Sequence, residues 1–258
     1  MRPPSLRLLA LVLLVSSCRA GNDAAVQVAT PSPVVTATPS PTASPTPSAA
    51  PTSIVTRAPV TASPTPRRTP ATTYRWSARR VTAADLPHSW RSGCPVGPAQ
   101  LRLLTLPYIG FDGARHTGRL VVNASATSEV ARAFGILYAK RFPIRSLRPI
   151  DDFGGSDDDS MAADNTSGFN CRQAVGGSGW SMHAYGLAID IDPRENPYLE
   201  GGKVRPPQGR PYVDRSHVRP GMVVAGGVAV RAFAAIGWSW GGRWRSSPDY
   251  QHFSSNGK

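Results

Sequence analysis

Cysteine is scarce in this chain: three in 258 residues, at 18, 94 and 171, with no Cys-x-x-Cys spacing. A zinc site built on thiolates is therefore excluded, and metal chemistry here must rest on imidazoles and carboxylates. No apolar run reaches bilayer length; the run Leu8–Val15 is too short to span a membrane as a stable helix. Acids are the minority charge, 16 Asp and Glu against 29 Lys and Arg, giving a formal net charge of +13. In a cytosolic protein that excess would point to nucleic acid. From residue 19 to 73 charge itself is nearly absent, and no pattern there buries apolar surface.

What is present at the start explains the rest. Arg2 and Arg7 precede the short apolar run, which ends in Val15-Ser16-Ser17-Cys18. This is a secretory signal, residues 1–18. Small residues directly before a cysteine resemble the bacterial lipoprotein processing box, which implies lipidation of Cys18 and a membrane anchor on the outer face of the cytoplasmic membrane, within the cell wall. Residues 19–73 are Pro, Thr, Ser, Ala and Val with repeated Thr-Pro and Ser-Pro steps, a disordered spacer. Export removes nucleic acid as the expected partner and turns the basic charge towards anionic wall polymers.

Residues 74–258 are long enough for one domain with a substantial core. Strands are predicted at 101–108, 120–123, 144–150 and 187–191, and helices at 128–141 and 228–236. An acidic loop spans Asp151–Asp164; its run Asp157-Asp158-Asp159 lacks a calcium-ligand spacing and reads as solvated. The fold class is α+β, helices packed on a mostly antiparallel sheet. With Cys18 lipidated, Cys94 and Cys171 remain as an even pair in an oxidising compartment, and a disulfide is expected between them.

Two stretches carry chemistry. Ser181-Met182-His183-Ala184-Tyr185-Gly186-Leu187-Ala188-Ile189-Asp190 holds an imidazole and a carboxylate seven apart, and Asp249-Tyr250-Gln251-His252-Phe253 holds another of each. Leu187, Ile189 and Ile191 alternate with Ala188, Asp190 and Asp192, a strand with one apolar face and one carboxylate face. Ser247-Pro248-Asp249 has the pattern of a helix start, which would put Asp249 and His252 one turn apart on one face. Taken singly, a packing histidine and a helix-start acid explain His183 and Asp249 equally well. Together, two imidazoles and one carboxylate with a spare carboxylate describe a zinc site with an open position. His217, among Arg215 and Arg219, is the rival ligand, whereas His88 and His116 lie near turns.

The pattern Ser-x-His-x-x-Gly-x-Ala-x-Asp with a later Asp-x-x-His-Phe resembles the D-alanyl-D-alanine carboxypeptidase and L-alanyl-D-glutamate endopeptidase family of bacterial zinc peptidases. The resemblance runs from about Cys94 to the C-terminus. It implies a hedgehog/DD-peptidase-like domain, one zinc held by His183, Asp190 and His252, Asp249 as acid/base, and Ser181 beside the substrate. It also implies a substrate-clamping arginine, Arg148 or Arg172, while Tyr250, with Trp240 and Trp244, would line the cleft. The activity implied is hydrolysis of peptidoglycan stem peptides by a monomer, as a carboxypeptidase, with an endopeptidase or a non-catalytic wall-binding zinc module as alternatives.

Overall fold

The computed structural model describes residues 73–257. The signal segment, Cys18 and the linker up to residue 72 lie outside the described residues. Strands β1 (Ser77–Arg80), β2 (Leu101–Ile109) and β3 (Arg115–Asn123) form an antiparallel sheet in that order. The β2–β3 connection is tight because Asp112 Oδ1 accepts from the Ala114 amide at 2.9 Å and Gly113 takes a positive φ of 71°. Asn123 then caps the turn into helix α1 (Thr127–Ala139) by accepting from the Ser125 amide. The helix lays Val130, Phe134 and Leu137 on Leu104, Leu106, Leu120 and Val122 of the sheet. This is the main core.

Two-residue strands β4 (Ser146–Leu147) and β5 (Asn165–Thr166) pair in parallel around helix α2 (Asp157–Ala162). Strand β6 (Ala188–Asp190) follows, then a hairpin of β7 (Tyr198–Glu200) and β8 (Lys203–Arg205), helix α3 (Val228–Ala234), β9 (Ser239–Trp240) and β10 (His252–Ser254). A second antiparallel sheet runs β6-β10-β9. It joins the main core through Ile189, Trp240 and Phe253, and the Phe253 ring stacks on Phe233 of α3 at 4.2 Å. No helix among the described residues is long and apolar enough to cross a membrane.

The α+β class holds, but as small sheets rather than one. Three expected elements differ. The strand expected at 144–150 shrinks to Ser146–Leu147, between Pro143 and Pro149, which cannot donate to a ladder. The acidic stretch contains α2, because Ser156 accepts from the Asp159 amide at 3.1 Å and the three acids sit in the first turn of a helix, where they suit its dipole. No helix begins at Ser247-Pro248-Asp249. The Asp249 amide instead donates to Gly241 O, Asp249 bridges to Tyr198, and His252 enters β10, so sheet pairing consumes the backbone groups a helix would need.

Candidate metal centre

Ser181 Oγ accepts from the His183 amide and starts a short 3-10 turn, Met182–Tyr185. Gly186 ends it at a φ of +68°, pressed so close to β3 that a Cβ there would lie 2.6 Å from the Asn123 amide nitrogen. The turn delivers His183 inward, and its Nδ1 donates to Gly168 O at 2.6 Å. That bond fixes the ring's orientation and turns Nε2 into the site, the arrangement of a metal-ligating histidine.

Asp190 closes β6 and stands directly opposite His252 of β10 in the antiparallel register. Cross-strand neighbours of this kind share a face. His183 Nε2 lies 3.1 Å from Asp190 Oδ2, and His252 Nδ1 lies 3.1 Å from Asp190 Oδ1. The two ring nitrogens are 3.3 Å apart. One donor atom from each of the three buried residues falls within 4.8 Å of the others, so the group can hold a metal ion. Sheet register and a capped turn, not sequence proximity, bring these residues together.

Two carboxyls in this site are driven apart. Burial works to raise the Asp190 carboxyl, but the charges and hydrogen bonds of His183 and His252 outweigh it and hold it well below the ordinary carboxylate range. Asp249 is pushed up to about 7, first by burial and then by the negative charge of Asp190, with His252 and Arg172 opposing. Its Oδ1 is buried and has no hydrogen-bond partner.

These groups line a cleft of about 600 Å³ whose walls include Ser181, Arg172, Trp180, Tyr198 and Trp244. Of the two arginines expected as a clamp, only Arg172 is there. Its Nη2 pairs with Asp157 Oδ2 at 3.1 Å, while its Nε is buried and unpartnered. It follows Cys171, which is disulfide-bonded to Cys94 and whose carbonyl accepts from Arg91 at 2.6 Å. Arg148 is elsewhere, with its Nε 3.0 Å from Asp152 and its guanidinium over the Phe153 ring.

Other expected residues also lie outside the cleft. The Tyr250 ring packs under Arg215 and beside Trp240, whose indole donates to Tyr250 O at 2.8 Å, so Tyr250 supports the wall from behind. Trp240 belongs to the core, and Trp244 alone of that run lines the cleft, its ring 5.4 Å from that of His252. Asp192 leaves the carboxylate face: its positive φ of 41° turns it into the interior, where its Oδ1 accepts from the Arg145 amide. His217 is exposed and pairs with Asp214 at 2.9 Å. His116 pairs with Asp112 at 3.0 Å. Sequence reasoning missed Tyr198 and Arg205, which reach the cleft through a hairpin that no motif marks, and Trp180, which sits beside the motif and carried the only available signal.

Residues 175–255 match the family model for D-alanyl-D-alanine carboxypeptidase. The match is of a metallopeptidase kind and bears out the resemblance over the stretch holding Ser181, His183, Asp190, Asp249 and His252. Arg172 and Cys171 lie just before the carboxypeptidase match begins, and Cys94 far ahead of it. No curated protein and no solved structure matches the chain.

Proposed function

We propose that this chain is a zinc-dependent peptidase that hydrolyses peptidoglycan stem peptides, as a carboxypeptidase releasing terminal D-alanine. The observation that carries this reading is the convergence of His183, Asp190 and His252 on one cleft with a buried carboxyl, Asp249, that is not needed as a ligand. The donor set, two imidazoles and one carboxylate with no thiolate, suits zinc with a position open to substrate. Bound there, zinc supplies a Lewis acid for the scissile carbonyl and for water.

The remaining chemistry belongs to the chain. A carboxyl with a pKa near 7 takes a proton from the attacking water and returns it to the leaving amine with little driving-force penalty, the role assigned to Asp249. Arg172 lines the cleft close enough for its charge to act on Asp249 and is assigned to the negative charge of the tetrahedral oxygen. Asp157 and the cystine at Cys171 hold that guanidinium in place. The signal segment, Cys18 and the proline-rich spacer support an exported, lipid-anchored enzyme held away from the membrane.

The test uses the full-length protein with zinc and a stem pentapeptide ending in D-alanyl-D-alanine, its products read by mass spectrometry. Release of one D-alanine is expected, with zinc lost from His183→Ala and His252→Ala and retained by His217→Ala. An intact pentapeptide in the presence of stoichiometric zinc overturns the reading. A cut between L-alanine and D-glutamate would reassign the enzyme as an endopeptidase.

A further inference from the structure

The cleft extends past the ligands along a ladder. Asp249 is bridged to Tyr198, and Tyr198 faces Arg205 in the register of the β7–β8 hairpin. Residues opposed across strands share a face, and all three line the same cleft. Two strand spacings put the Arg205 backbone on the order of 10 Å from that of Asp249. Arg205 also lines a second cavity, of about 570 Å³, with Asp158 and Asp159 of α2 on one wall and Lys203 and Arg210 on the other. Arg205 is the residue whose side the two cavities share.

Arg205 is held asymmetrically. Its Nη1 is 3.0 Å from Glu200 Oε2 on its own hairpin, and its Nη2 is 2.8 Å from Asp158 Oδ1 across the gap. Glu200 is a tether. Asp158 is different: its side chain is 74% exposed, and ion pairs so exposed hold weakly. A ligand with an ammonium and a carboxylate on one carbon can enter between Arg205 and Asp158 without loss of pairing. Its carboxylate takes Nη2 of Arg205 and its ammonium takes Asp158, so one ion pair becomes an alternating row of four charges. A bare amine or a bare carboxylate satisfies one partner and strands the other.

We propose that Arg205, shared by the two cavities, and Asp158 form a binding subsite for a zwitterionic α-amino acid end. Resting on the peptidase reading above, the ligand is the side chain of the stem's diamino acid, docked here while the scissile bond lies against His183, Asp190 and His252. The separation of roughly 10 Å between the Arg205 and Asp249 backbones is of the order of one residue of extended peptide plus a long side chain. The chemistry selects diaminopimelate, whose side chain ends in such a group, over lysine, which ends in an amine alone, and over amidated diaminopimelate, whose carboxylate is masked.

Calorimetric titration of the full-length zinc protein with N-acetyl-γ-D-glutamyl dipeptides of diaminopimelate, amidated diaminopimelate and lysine tests this, because none contains a scissile bond of either peptidase type and the acetyl cap removes the glutamyl ammonium that would otherwise give all three the same zwitterionic end. The diaminopimelate dipeptide should bind at least tenfold more tightly than the other two. Arg205→Gln and Asp158→Asn should each bring the three within about twofold of one another. Equal binding of the three, binding of none, or a preference that survives both substitutions overturns the subsite. Pentapeptide cleavage measured alongside separates the two ideas: turnover without preference sinks the subsite alone, and preference without turnover sinks the peptidase reading alone.

Discussion

Asp190 and Asp249 are chemically the same group in the same cleft, and their surroundings give them opposite protonation habits. Asp190 meets two imidazoles and is held ionised, fit to be a ligand; Asp249 meets burial and a neighbouring carboxylate, and keeps its proton up to about 7. Divergent carboxyls of this kind assign the roles of ligand and acid/base. Asp249→Asn keeps the shape of the side chain and removes the titrating oxygen, so zinc stoichiometry should stay near wild type and the protein should stay folded. Stem-peptide turnover should fall by about 10² to 10⁴, the usual effect of losing a general base. Metal analysis decides whether the assignment is right, since zinc lost from Asp249→Asn would make this residue a ligand.

At the scale of elements, β2, α1, α3 and the strand carrying Asp190 were legible because long segments of clear apolar periodicity report themselves. The ligand set was legible too, through spacing in two short motifs. What the sequence concealed is how the second motif is held. Ser247-Pro248-Asp249 satisfies every local rule for a helix start, yet pairing with Tyr198 and Asp190 claims the backbone, and such pairing joins residues about fifty or more positions apart. Arg148 and Arg172 were indistinguishable for the same reason, until the cystine and the 173–180 turn placed only Arg172 at the cleft. The cystine closes a sequence separation of 77 residues, and replacing Cys94 and Cys171 by serine should lower stability by about 2 to 5 kcal/mol. Turnover should fall as well, since Cys171 adjoins the arginine assigned to the oxyanion. Denaturant midpoints with single-turnover rates check both, and unchanged turnover in a destabilised variant would show that Arg172 is held by Asp157 without help from the disulfide.

For the whole molecule, pH sets the balance through a second group of acids behind the cleft. Glu195 is buried with Oε2 unpartnered, its Oε1 3.6 Å from Arg145, and Asp164, Asp192 and Tyr212 face it from neighbouring segments. Burial, then the hydrogen bond and charge of Asp164, raise its pKa from 4.5 to about 7. Between those values the folded chain holds a proton that the unfolded chain has released, so stability is greatest below the lower value and declines as pH rises towards the upper one. Asp249 contributes a slope of the same sign, and the informative comparison is therefore between variants. Glu195→Gln cannot ionise, and its amide can still donate to Asp164. It should melt at a temperature close to wild type near pH 4.5 and clearly above it at pH 8, with a shallower fall between. Thermal unfolding across that range is the measurement, and parallel curves for the two proteins would show that Glu195 is ionised in the folded state and that Arg145 alone balances it.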